Sequence, residues 1–410
     1  MNKVILTIAL VFFSIETIFA QNLREAGGIV VDEHKTSLPY VSLKIGTQIA
    51  TMTNADGEFL LKYPAGAMKK DSLTISYMGY KNLKLPLSGL HQSMKIQLMP
   101  SVVSLKEIVI RPVSAESIIR QAIKNIPENY DTRPFEMKGF YREVGKVDTN
   151  YLSFAEASLN ILNGGYNQNN TKDKIVINKE RNLKKLGEKE INNPFNMAID
   201  GAPYDIISND IAKNPARILG KNYFKKYKFE LAGSIAVNGE EAYLINFDQQ
   251  DDLKEALYKG KLTILKSSYA IVAIDVALSP KGIAYAKADI SFIAKPIFSL
   301  LGYSFRKLNE EFSEQYVKIN NYWYPYFYKI SSVHHLKAKY KHLEGKLAVR
   351  AELFISKINL SPQGNYEHVM SKGYVFKNYV TSYNDDYWGD YNFIKPTNSL
   401  KELAEKLKAN

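Results

Sequence analysis

From Ala26 to Ile110 the chain is a succession of short runs in which apolar and polar residues alternate. Turn signals separate the runs, notably Asn54-Ala55-Asp56-Gly57 and Met78-Gly79. Alternation with a period of two sends successive side chains to opposite faces, so each run can bury one face of a strand but not a helix stripe. Seven strands are expected, over 28–32, 41–45, 49–53, 58–63, 73–77, 81–85 and 94–98. Many short strands at this spacing, with turn chemistry between them, form a β-sandwich.

The order of particular residues in this stretch carries a resemblance. Gly28-x-Val30-x-Asp32 is followed by Leu38-Pro39-x-Val41, Gly46-Thr47 and Thr53-x-x-Asp56-Gly57-x-Phe59, then by Ser76-Tyr77-x-Gly79-Tyr80 and Ile96-x-Leu98. The stretch resembles the carboxypeptidase regulatory-like domain, a transthyretin-like β-sandwich. One departure is Asn54, where an aspartate is expected in the turn; asparagine also favours turns. The resemblance implies a place at the front of an envelope protein of a Gram-negative bacterium, with Leu105-Lys106-Glu107-Ile108-Val109-Ile110 as its exit segment. It implies an accessory module, not a catalyst.

Beyond it the pattern changes. Ser114 can cap a helix over 115–125, where Ile118, Ile119, Ala122 and Ile123 recur at helical spacing. Strand-like runs at 140–144 and 151–159 open a second domain, a loop tip occupies 163–174, and 181–225 is irregular with one or two short helices around 206–219. A long antiparallel meander follows from Phe229, with strands expected at 241–247, 256–265, 270–278, 284–293, 315–319, 323–332, 335–342 and 346–360. Leu343-Glu344-Gly345 reads as a hairpin turn. Ser399-x-x-Glu402 is a capping box for a last helix. The expected fold is mainly β: a transthyretin-like β-sandwich followed by an α+β domain on a long antiparallel, curved sheet or partial barrel. The expected divisions are a leader at 1–20, the sandwich at 26–100, a linker and helix at 101–130, the sheet domain at 131–396 and a terminal helix at 397–410.

Residues 4–13 form an apolar core behind Lys3, and Ile18-Phe19-Ala20 ends on a small residue. This is a signal-peptide pattern too short to span a bilayer, and it predicts export to the periplasm or an outer-membrane-associated position. No later run of eighteen apolar residues predicts a transmembrane segment. The formal charge is +12, but the lysines are dispersed, so nucleic acid is not an expected partner. With no cysteine in the chain, disulfides, thiolate chemistry and Cys-ligated metals are excluded.

No motif implies a cofactor or a catalytic residue. None of the six histidines has a glutamate three residues on, which argues against a zinc carboxypeptidase. Neither Gly-x-Ser-x-Gly nor a phosphate-binding loop is present. Two aromatic features remain as candidate ligand contacts. One is the run 322–328, where Trp323, Tyr326 and Phe327 are either the wall of an apolar cavity or sheet core, and where Pro325 predicts an edge or a bulge. The other is Trp388 within an acidic loop, either a ligand contact or, with Tyr391, a pin holding the C-terminal segment to the sheet. The expected role is a non-catalytic exported protein whose sandwich contacts an envelope or outer-membrane protein; the alternative is a periplasmic carrier of a hydrophobic ligand such as a lipid or lipoprotein acyl chain. An unrecognised hydrolase is a third reading.

Overall fold

All seven N-terminal runs are strands: β1 Leu23–Val31, β2 Ser42–Ile45, β3 Gln48–Met52, β4 Glu58–Pro64, β5 Ser72–Ser76, β6 Leu83–Pro86 and β7 Met94–Gln97. They form a three-stranded sheet, β4-β1-β7, and a four-stranded sheet, β3-β2-β5-β6. The inward residues, among them Val30, Leu43, Phe59, Leu61, Leu73 and Ile75, are fully buried in one core. The Asn54 turn is built as its sequence dictates. The Asn54 side-chain oxygen accepts from the Asp56 and Glu58 amides at 2.9 Å each, and Gly57 takes φ +78°.

The computed structural model describes residues 23–46, 48–66, 71–101, 113–167, 172–183, 202–288, 298–341, 343–364, 366–374, 376, 384–397 and 402. The leader, the exit segment at 105–110 and nearly all of the terminal helix lie outside these residues.

The second domain is a ten-stranded antiparallel sheet. Its strands are β8 Phe135–Val147, β9 Asn150–Asn163, β10 Lys174–Leu183, β11 Tyr227–Val237, β12 Glu240–Gln249, β13 Tyr258–Leu265, β14 Ile271–Leu278, β15 Tyr303–Ile319, β16 Tyr322–Ala338 and β17 Leu343–Asn359. The order is β10-β9-β8-β17-β16-β15-β14-β13-β12-β11, so the sheet is curved but not closed. Local turn chemistry sets the hairpins. Asn238-Gly239 joins β11 to β12 with both residues at positive φ, as a two-residue turn requires.

Among the described residues, five short helices cover one face: α1 Ala115–Lys124, α2 Ile126–Asn129, α3 Ala202–Ser208, α4 Ala216–Leu219 and α5 Lys221–Phe224. Ser114 caps α1 by accepting from the Ser117 amide. Its apolar stripe, Ile118, Ile119 and Ala122, is buried with Tyr141, Leu159, Ile264 and Leu353 of the sheet and with Ile206, Ile207 and Leu219 of the later helices. No helix among the described residues is long and apolar enough to cross a membrane.

The structure corrects several expectations. The hairpin turn lies at Lys339–Lys341, and Leu343-Glu344-Gly345 belongs to β17, because β16 and β17 stay paired out to Ala338 and Leu343. β16 is one strand through Val333, not two. β10 is a full strand, paired with β9 from Lys174 to Leu183; no strand was expected there, and its last three residues fall where irregular chain was expected. Residues 283–285 form a 3-10 turn instead of starting a strand. Pro325 marks a bulge: Gln315 faces Phe327 and Tyr316 faces Pro325, which leaves Tyr326 extra. Pro325 pairs with Tyr316 of β15, and β16 pairs with β17 only from Phe327 onward, so the proline sits where β16 has one strand neighbour.

Candidate functional site

The register of the sheet places a row of charged and polar residues directly opposite one another on the face away from the helices. Across the strand order it runs Arg181, Glu156, Arg142, Glu352, Lys329, Ser313, Asp275, Lys261, Asn246 and Glu230. Opposite charges facing each other across a ladder stabilise one pairing and disfavour slipped ones. At the β10 end this row is sealed from water. Glu156 is wholly buried, and its oxygens accept from Arg142 Nε at 2.7 Å and Arg181 Nε at 2.8 Å. Trp388 Nε1 donates to the same carboxylate at 3.1 Å.

The cover over this end is the segment 384–397 together with the N-terminal module. Trp388 packs edge-on against Phe140 at 5.2 Å, and the Tyr391 hydroxyl donates to the Gly139 carbonyl at 3.1 Å. Arg181 Nη1 donates to the Asn384 carbonyl at 2.8 Å, and Arg142 donates to the Ile394 carbonyl. The module then lies on the segment. Ile49 and Met52 of β3 join Phe140, Phe327, Phe354, Trp388, Phe393 and Ile394 in one buried cluster. Tyr40 stacks on Phe327 at 4.7 Å, and its hydroxyl donates to Glu352 at 2.8 Å. Asn54 Nδ2 donates to the Pro396 carbonyl at 3.5 Å, a bond that an aspartate could not make. This gives the departure from the module's usual turn a reason.

Of the four candidate contacts, Tyr326, Phe327 and Trp388 meet in this interface cluster, whereas Trp323 is buried on the helix face and bridges to Tyr130. All four side chains are buried against protein. His334 and His335 are successive residues of β16; His335 pairs with Glu344 at 2.9 Å. No group of three or more metal-ligating side chains stands together among the described residues.

The helix face carries a polar cluster that the sequence reading missed. Asp210, between α3 and α4, is fully buried and accepts from the hydroxyls of Tyr166 (2.8 Å), Tyr316 (2.7 Å) and Tyr328 (2.7 Å). It also accepts from the amides of Ala212 and Lys213 at 3.0 Å each. Beside it, Glu314 accepts from the Ile211 amide at 2.8 Å and Tyr316 at 3.1 Å. Its other oxygen is buried without a hydrogen-bond partner in the described structure. Burial, and then the charge of Asp210, push the Glu314 carboxyl well above the usual carboxylate range; the Ile211 and Tyr316 bonds pull the other way.

A folded-state value above the unfolded one means that this group's contribution is fully present below about pH 4.5 and is lost as pH rises toward the folded value. Glu314→Gln keeps the shape and one acceptor without the titrating proton. The melting temperature of the Gln variant is therefore expected to gain on that of the native chain as pH rises from 4 to 8 in matched buffers, with about 4.5 as the onset. A difference that stays constant across this range contradicts the assignment.

Where the module meets the sheet, a cleft of about 320 Å³ remains, lined by Asn54, Asp56, Arg142, Lys146, Arg350 and Glu352 among others. A cleft between domains whose lining carries both signs, Arg142, Lys146 and Arg350 with Asp56 and Glu352, suits a polar chain segment.

Residues 26–110 match the model of the CarboxypepD_reg-like domain. No curated protein matches the chain. Among solved structures, a domain named for outer membrane lipoprotein sorting from Vibrio parahaemolyticus is similar at 10% identity, over 62% of this chain and 95% of that one, with a TM-score of 0.26. A LolA superfamily protein from Nitrosomonas europaea aligns at 13% identity over 62% and 96%, TM-score 0.21. A DUF1329 family protein from Desulfovibrio piger aligns at 10% over 62% and 97%, TM-score 0.24. TM-scores of this size leave the role of the ten-stranded sheet to be argued from its own residues.

Proposed function

We propose that this chain is an exported, non-catalytic binding protein of the cell envelope, resident in the periplasm or at the outer membrane, that carries a hydrophobic ligand such as a lipid or lipoprotein acyl chain between its sheet and its helical cover. One observation carries this reading. The ten-stranded sheet is open, one of its faces is apolar across nearly all its strands, and that face is covered by helices of four to ten residues instead of a second sheet. Short helices form few contacts each, so they can separate from a sheet that stays intact. The N-terminal module buttresses the opposite face and keeps the sheet rigid while the cover moves.

A second reading rests on the cleft between module and sheet. Its mixed-charge lining suits a polar segment of an envelope partner, which would make the module a protein-contact element.

Native mass spectrometry of the protein purified from envelope extracts, with and without cross-linking, separates the two. The expected result is a bound species of lipid mass that organic extraction removes, together with saturable binding of a fluorescent fatty-acyl probe. A chain that carries no lipid and binds no probe overturns the carrier reading. A cross-linked polypeptide in place of lipid supports the cleft.

A further inference from the structure

We infer that the sheet end formed by Leu300, Leu301 and the β16–β17 hairpin is a docking tip for an anionic phospholipid surface. The two most exposed large hydrophobic side chains of the described structure, Leu300 at 80% and Tyr340 at 70%, share this tip, with Leu301 at 50% beside them. The other exposed large hydrophobic side chains among the described residues, Met99, Val113, Leu231, Tyr285 and Val369, are 40–52% exposed; the tip differs in grouping three such side chains, and a grouped apolar surface calls for a partner. The tip is built, not frayed. Gly302 takes φ +74° and lies so close to the Tyr340 ring that a Cβ there would come within 2.5 Å of it. The Lys339 amide donates to the Gly302 carbonyl at 2.8 Å, tying the two loops together. Beneath them Tyr303, Leu336, Ala338 and Leu347 form a separate buried cluster with Phe298 and Phe305 packed against it.

Charge selects the partner. Lys337 and Lys339 flank Tyr340 on β16 and its turn, Arg306 and Lys346 follow on the neighbouring strands opposite His335, and all four are exposed. The acidic residues nearby are Glu344, paired with His335 at 2.9 Å and Lys337 at 3.5 Å, and Asp148, which accepts from the Lys346 amide at 2.9 Å. The rim is therefore net basic, on a chain of net charge +12. Three protruding side chains cover too little area for a stable protein interface, which needs on the order of 1,000 Å². They do suit insertion into the headgroup layer: leucines reach the acyl boundary, a tyrosine sits at the interface and a basic rim meets lipid phosphates. The inference stands on these residues alone and is independent of the carrier reading.

Co-sedimentation of the purified protein with phosphatidylcholine vesicles, with and without phosphatidylglycerol, tests it. Binding is expected only with phosphatidylglycerol and is expected to fall as salt rises. Either Leu300→Asp with Leu301→Asp, or Lys337→Glu with Lys339→Glu, is expected to weaken binding by about tenfold or more. All four positions are exposed, so melting temperatures should stay within about 2 °C of the native value. Native protein that ignores the anionic vesicles overturns the inference. So does equal binding by both double variants, or a change in sedimentation state on mutating the leucines, which would make the tip a self-association surface.

Discussion

Replacing Glu156 with alanine is expected to destabilise the fold by about 3–5 kcal/mol, because it strands two buried guanidinium groups without their shared carboxylate. Glu156 and Arg181 are fully buried and Arg142 nearly so, so water cannot take over the lost contacts. In a domain of this size that corresponds to a fall in melting temperature on the order of 10 °C. The damage has a direction. Arg181 and Arg142 also donate to the Asn384 and Ile394 carbonyls, and those bonds hold the C-terminal segment under the module. Limited trypsin digestion should therefore cut first near Lys395 in the variant. Replacing all three charged residues with apolar ones of similar volume should recover much of the loss, since the charges are costly only when unmatched. A loss below about 1 kcal/mol for Glu156→Ala would show that the row contributes no more than a surface ion pair does.

The same row shows where sequence reading stops. The N-terminal strands were legible because each carries its own period-two pattern and turn chemistry, as at Asn54-Ala55-Asp56-Gly57. The aromatic bulge at Pro325 was legible for the same local reason. The charged row was not, because Arg142 meets Glu352 across 210 positions, and register between distant strands leaves no local trace. β10 escaped notice because its run, KIVINKERNL, is polar enough to read as loop until Arg181 is seen to face Glu156. Trp323, Tyr326, Phe327 and Trp388, expected as ligand contacts, are all buried against protein. Simple alternation puts Trp323 and Phe327 on one face; the bulge at Tyr326 sends Trp323 to the helix-side core and Phe327 to the interface cluster. Asp210 and Glu314 lie about a hundred residues apart and gave no motif at all.

Asp210→Ala is expected to cost on the order of 4 kcal/mol. It leaves the Tyr166 and Tyr328 hydroxyls and the Ala212 and Lys213 amides without this acceptor, while Tyr316 keeps Glu314, and each buried unsatisfied group costs about 1–3 kcal/mol, less than additively. Asp210→Asn should cost less than Asp210→Ala. Its Oδ1 can keep the Tyr316, Ala212 and Lys213 donors, and its NH₂, in the place of Oδ2, can donate to the Tyr166 and Tyr328 hydroxyl oxygens, which accept as well as donate. Removing the charge also relieves Glu314, whose carboxyl should move back toward the usual range because Asp210 is the second cause of its elevation. The loss is again local. Asp210 ties the turn between α3 and α4 to Tyr316 and Tyr328 of the sheet, so the helical cover loosens while the ten-stranded ladder persists. Hydrogen exchange should then quicken over 202–224 well before it does in β13–β16. If exchange rises uniformly over cover and sheet, the two layers unfold as one unit, and the cover is not the separable element that the carrier reading requires.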